Sequence, residues 1–264
     1  MTFSSVALSQ SLSRQSQSSA AGSFGSVAVI SHAPLRHSSI PALHSPTHTP
    51  VWRSQIPAAP GHSHQSLRDI SALTSVPNLD IVEPCCPEEV PLLLDYLLGT
   101  KGRSGYLRLI SVPWAVPYTY PAKRLEEGRG VVLFEGKGGP FAAIVTYGLI
   151  TTTEAFLAAE DLADEGIDVM VIVCPFLNRI DGAWFADKLE GVKLLLTVDN
   201  HYVNGGFGDQ LLSALARSGV QVPPRVVRLG LDNVPVSGQP AEVLRHHGLD
   251  SASLKDRIRQ ELKA

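Results

Sequence analysis

The sequence predicts an α/β fold: a mainly parallel, helix-covered sheet in the C-terminal half, preceded by a shorter α/β unit and a disordered N-terminus. Three observations predict it. From about residue 121 to the C-terminus, apolar runs and helical patterns alternate at β-α-β spacing. The run "IDVMVIV" is apolar on both faces, as strands buried in parallel sheets are. The composition also changes sharply near Gly61, from a Ser-, Pro-, Gln- and His-rich segment to a patterned one.

Residues 1–60 contain no acid and no lysine, and "SVAVI" is their one short apolar run. Such a stretch buries too little apolar surface to offset its ordering entropy, so disorder is expected. Its Ser- and Arg-containing, acid-free composition also fits an organelle transit peptide; without one, a cytoplasmic location is expected. A misread start upstream of Gly61 would produce the same composition jump. Six of the nine histidines fall by His64, at irregular spacing that does not read as a metal site.

From His64 on, each element has its own signal. Leu67, Ile70 and Leu73 in "QSLRDISAL" recur at helical spacing, and "NLDIVEP" reads as a strand stopped by Pro84. "PEEVPLLLDYLLG" reads as a helix with acid at its positive end and Gly99 after it, followed by the strand "SGYLRLISV". A connector with several prolines and charges, "PWAVPYTYPAKRLEEGRG", places a boundary near Pro121 and divides 61–120 from 121–264. Strands "GVVLFEG" and "FAAIVTYG" open the second unit. The helix "TTTEAFLAAEDLADEG" follows, with a threonine cap, Gly166 at its end, and Ala155, Ala159 and Leu162 toward the sheet. Strand "IDVMVIV", short helix "PFLNRIDGAWFADKL", strand "VKLLLTV", helix "FGDQLLSALARSG", strand "PRVVRLGL" and two C-terminal helices complete the pattern.

A net charge of −3 gives no electrostatic reason to expect nucleic acid or an anionic membrane as partner. No apolar run approaches the roughly 20 residues of a membrane span. Cys85, Cys86 and Cys174 lack the spacing of a zinc site or a disulfide framework and read as small buried hydrophobes in a reducing compartment. Gly205-Gly206-Phe207-Gly208 stands between a strand and a helix, where a phosphate could sit. A dinucleotide fingerprint would need glycine at Leu211, and a P-loop would need G-K-[ST]. The turn therefore reads as a packing device that brings helix close to strand, and His201 before it reads as structural.

The same residues carry a family resemblance. "VDNHYVNGGFGDQLLSAL", "AAIVTYGLITTTEAFLAAEDLADEGIDVMVIVCPFLNRIDG" and "RVVRLGLDNVPVSGQPAEVLRHHGLDSASLKDRI" resemble the C-terminal domain of the transketolase family. "GHSHQSLRDISALTSVPNLDIVEPCCPEEV" resembles the end of its pyrimidine-binding domain. The fit is better to transketolases and deoxyxylulose-phosphate synthases than to 2-oxoacid dehydrogenase β subunits, although Gly206-Phe207-Gly208 is common in the latter.

This resemblance implies a partial pyrimidine-binding domain at 61–120 and a transketolase-like C-terminal domain at 121–264. It implies thiamine diphosphate and Mg²⁺, and two-carbon ketol transfer between sugar phosphates. The G-D-G motif that holds the metal–diphosphate is not present, since Gly208-Asp209 precedes Gln210. The glutamate that activates the aminopyrimidine would fall where the chain has no acid. Among the residues in hand, none is assigned as catalytic, cofactor-binding or metal-ligating. A partner would have to supply those parts, through a dimer or a complex with a transketolase N-terminal-type subunit. His64 in "GHSHQS" falls on the family's substrate-facing histidine. Arg108 in "YLRLIS" falls where some members carry an arginine, and reads either as a ligand contact or as a surface residue at a strand end. The alternative reading is a non-catalytic remnant, or a truncated synthase or dehydrogenase-type chain, serving in subunit association.

Overall fold

A computed structural model describes residues 67–100, 102–110, 113–219 and 223–263, together with the strand backbones at 26–30 and 51–52. The described elements in chain order are β1 (Ser26–Ile30), β2 (Val51–Trp52), α1 (Asp69–Leu73), β3 (Leu79–Val82), α2 (Glu89–Gly99), β4 (Ser104–Arg108), β5 (Val131–Phe134), β6 (Ala142–Thr146), α3 (Leu149–Asp164), β7 (Val169–Val173), α4 (Gly182–Lys188), β8 (Leu194–Tyr202), α5 (Phe207–Arg217), β9 (Arg225–Leu231), α6 (Pro240–His246) and α7 (Ser251–Lys263).

They form two sheets. The first has the order β2-β1-β4-β3, with β3 and β4 parallel and β1 antiparallel to both β2 and β4. Strand β1 is the "SVAVI" run of the N-terminal segment; apart from β1 and β2, that segment lies outside the described residues. The second sheet has the order β5-β7-β6-β8-β9 and is parallel except for β5.

Side-chain alternation along β6, β7 and β8 feeds two separate layers. Ala142, Ile144, Val169, Val171, Leu194 and Leu196 face α3, α6 and α7, with Ala158, Leu162, Val243, Leu254 and Ile258 opposite them. Ala143, Val145, Met170, Ile172 and Leu195 face α4 and α5, with Phe185, Phe207, Leu211 and Leu215 opposite them. Burial on both faces explains the near-continuous apolar runs. Local chemistry ends the helices where expected: Asp181 accepts the Trp184 N–H at 3.0 Å to cap α4, and Gln239 and Glu242 form a reciprocal capping box at Pro240. One cap differs from the sequence expectation. Helix α3 starts on Gly148 (φ 72°), so Thr151, Thr152 and Thr153 lie inside it and none of them caps it. A left-handed residue suits glycine, and the threonine hydroxyls turn elsewhere, Thr151 to the Tyr147 carbonyl.

The two sheets share one core. The cluster around α4 and α5 also contains Ile70, Leu79, Ile81, Leu93, Leu97 and Tyr106 of the N-terminal unit. Edge strand β3 is covered by the loop after β7. Asn178 accepts the Ile81 N–H at 2.9 Å and donates to the Leu79 carbonyl at 2.7 Å, while the Leu177 N–H reaches the Ile81 carbonyl at 2.8 Å. Arg179 adds an ion pair with Asp80 at 2.7 Å. An exposed strand edge is thereby closed by the second unit. The connector between the units is also anchored: Tyr118 donates to the Cys85 carbonyl at 2.7 Å, and Tyr120 donates to buried Glu89. All three cysteines are free and buried.

Candidate functional site

In a doubly wound sheet, ligands bind outside the carboxyl ends of the strands where successive connections diverge. Here β6 connects through α3 to β7 on one side, and β7 returns through α4 to β8 on the other. The divergence lies between β6 and β8. Tyr147 and Gly148 follow β6 there, and Asp199, Asn200 and His201 extend β8. Sequence patterning ended this strand at Val198, whereas it continues to Tyr202. Asp199, Asn200 and His201 can be buried there because each has a specific partner.

Three groups of the N-terminal unit meet this point: Asp69 at the start of α1, Glu83 just after β3 and Arg108 at the end of β4. Arg108 is wholly buried. Its guanidinium takes Asp69 in a fork, Nε to Oδ2 at 2.7 Å and Nη2 to Oδ1 at 3.2 Å. Nη1 donates to Glu83 Oε2 and, at 2.9 Å, to Asn200 Oδ1. Asn200 Nδ2 closes the ring on Glu83 Oε1 at 2.8 Å. Tyr106 adds a bond to Asp69 at 2.8 Å, and the Tyr147 ring lies 5.9 Å from the guanidinium carbon. Burial alone would raise the Asp69 carboxyl, but the Arg108 charge and its hydrogen bonds outweigh it and hold the group below its usual value. Glu83 is raised, because its complete burial outweighs what Arg108 and Asn200 return.

The glycine turn is explained by Asp199. Its Oδ1 accepts the Phe207 N–H at 2.7 Å and its Oδ2 the Gly208 N–H at 3.0 Å, with the Tyr147 hydroxyl donating at 3.2 Å. The chain's own carboxylate thus occupies the start of α5, where a phosphate would otherwise sit. Glycine is required by closeness: a Cβ on Gly206 would lie 2.8 Å from Asp199 Oδ1, and one on Gly208 would overlap the Thr197 hydroxyl. Burial lifts Asp199 to about 7, against the pull of these donors. His201 is buried, with Nδ1 on the Tyr202 carbonyl at 2.7 Å and Nε2 accepting the Ser71 N–H at 3.4 Å. Burial holds it neutral, with its value pushed down to about 4. It ties α1 to β8 and has a structural place.

His64 lies outside the described residues. Arg108 is no surface residue; its donors are directed at Asp69, Glu83 and Asn200. Sequence reasoning did not single out these three, nor Tyr147. The one signal for Glu83 is an acid directly after the apolar strand end Ile81-Val82 and before Pro84, in "LDIVEP". A diphosphate and its metal do not fit what is described here. The helix start beside the glycine turn is filled by Asp199, and among the described residues Glu83 and Asp69 both pair with Arg108. Among the described residues no group of three or more His, Cys, Asp or Glu could hold a metal ion.

Comparison with known proteins decides the family. The family model for the transketolase C-terminal domain matches residues 130–254. These residues belong to the transketolase family. A putative transketolase family protein of Sinorhizobium fredii is 30% identical over 207 residues, covering 76% of this chain and 57% of that protein. A 1-deoxy-D-xylulose-5-phosphate synthase of Geobacter metallireducens is 28% identical over 214 residues, covering 81% of this chain and 33% of the enzyme. Among solved structures, a split-gene transketolase in the form of an inactive β4 tetramer superposes with a TM-score of 0.64 at 28% identity, over 77% of this chain and 64% of its own. The chain spans between a third and three-fifths of the length of these curated relatives. Among the described residues, no helix is long and apolar enough to cross a membrane.

Proposed function

We propose that this chain is a transketolase-like subunit or fragment that contributes to thiamine-diphosphate-dependent transfer of a two-carbon ketol unit between sugar phosphates, and that it is not competent alone. The observation that carries the reading is the likeness to a split-gene transketolase chain. It covers 77% of this chain, more than the residues 130–254 that the family model matches. A partner of the transketolase N-terminal type supplies the groups for diphosphate, Mg²⁺ and aminopyrimidine; none of the described residues is assigned to them. His64 is the residue we assign to sugar contact. For Arg108 we propose a positioning role in place of a direct substrate contact, because Asp69, Glu83 and Asn200 hold its guanidinium away from solvent.

A tagged pull-down from the native cell, read by mass spectrometry, tests the reading. Recovery of a chain carrying G-D-G…N and the missing glutamate supports it, and His64→Ala in that complex should then raise the sugar KM. Recovery of this chain alone would overturn it. One observation favours a second reading, a non-catalytic chain serving in subunit association. The crevice where such sheets bind ligands is filled from within by Glu83 and Arg108.

A further inference from the structure

We propose that Lys123-Arg124 is a proteolytic processing site, at which a trypsin-like endoprotease converts this chain into two chains that stay bound to each other. The pair lies in the connector between the units, where residues 113–130 hold no helix or strand. The backbone of 121–125 makes no hydrogen bond to any described residue. A protease takes its substrate as an extended strand, so a segment with no backbone bonds to break is the one it can draw in. Lys123 and Arg124 are both exposed, and the Arg124 side chain is 85% accessible, with Glu126 beside it at 3.4 Å. Lys137 is exposed on another loop, but its N–H is held by the Asp168 carboxylate at 2.7 Å.

The basic pair is held out between fixed points. Before it, Tyr118 ties the chain to the Cys85 carbonyl and Tyr120 ties it to Glu89. After it, Glu127 takes Arg103 in a fork at 2.8 and 2.5 Å, and the Gly128 carbonyl accepts the Asp181 N–H at 2.9 Å. The stretch between these anchors can lift without unfolding either unit; Leu125, half-buried against the shared core, is the residue that must rise with it. The cut is a hydrolysis. Water adds across one peptide bond, hydroxyl to the carbonyl carbon and proton to the amide nitrogen, with no change of oxidation state. What holds the units together lies elsewhere: Asn178 on the edge of β3, Arg179 on Asp80, Arg108 on Asn200, and the core that both units fill. Neither the site nor the persistence of the pair depends on thiamine chemistry.

Limited digestion of the full chain with trypsin in native buffer, with sequencing of the new N-termini, tests the proposal. Within residues 67–263, the first new N-terminus should be Arg124 or Leu125. The double variant Lys123→Gln, Arg124→Gln should lose that cut and keep the circular dichroism spectrum of the original chain. The cut chain should elute from a size-exclusion column with the double variant digested in parallel, and its two parts should separate only in denaturant. A first cut after Lys137, or at any other bond in 67–263, would overturn the site. So would a double variant digested within 67–263 as fast as the original chain. Parts that separate in native buffer would overturn the two-chain body.

Discussion

Replacing Arg108 with methionine removes the cation of the buried network at the junction of the two units, where its bond to Asn200 crosses from one to the other. The side chain keeps its approximate length and apolar stem, while the guanidinium and its bonds to Asp69, Glu83 and Asn200 disappear. Two carboxylates would remain, each at most 8% exposed at the side chain and without the cation that lies between them. Breaking a buried ion pair by removing one partner costs about 3–5 kcal/mol, because the remaining charge stays desolvated. For a domain of this size, that is a fall in Tm of about 6–20 °C. Urea unfolding at pH 7, followed by far-ultraviolet circular dichroism and by tryptophan fluorescence, measures it. Adding Glu83→Gln to Arg108→Met should recover about 0.5–3 kcal/mol, the usual coupling within one network. A loss below about 1 kcal/mol in the single variant, within the range of exposed pairs, would refute a buried, coupled junction.

Three further outcomes concern the same edge of the sheet. His201 has a folded-state value near 4 against an ordinary 6.5, so its contribution is present above pH 6.5 and is lost as pH falls toward 4. Between pH 7 and 4.5 the original chain should therefore lose about 2–3 kcal/mol more than His201→Gln does, measured as urea midpoints; equal losses would refute a buried neutral imidazole. Gly208→Ala should destabilise by about 1–3 kcal/mol through overlap with Thr197, and Thr197→Ala in the same chain should relieve part of that cost. Asp199→Ala should cost about 2–3 kcal/mol by uncapping α5 and leaving the Phe207 and Gly208 N–H groups unpaired, read as loss of hydrogen-exchange protection in the first turn of α5.

The strands of the second sheet were legible because burial on both faces leaves continuous apolar runs, as in Val169–Val173. The glycine turn was legible as a packing device, since the failed fingerprint at Leu211 argued against phosphate. The group that fills the helix start, Asp199, was not identified, because its bonds run from a strand end to a helix eight and nine residues on. The cap of α3 was misplaced for a local reason. Threonine is a good cap by propensity, but Gly148 alone accommodates both the left-handed backbone and the Glu83 carboxylate against it. Arg108 shows the limit most directly. Its partners stand 39, 25 and 92 residues away in sequence, so no window of pattern could tell a strand-end surface arginine from a buried one. The family resemblance reached the domain, while the junction came only from the three-dimensional arrangement.

The measurement closest to the central claim is a reconstituted transfer assay. The purified chain, thiamine diphosphate and Mg²⁺ are supplied with a ketose-phosphate donor and an aldose-phosphate acceptor, with and without the N-terminal-type chain that co-purifies with it. The account predicts no two-carbon transfer by this chain alone and transfer once the partner is added. Turnover by the chain alone, or none from the assembled pair, would contradict it.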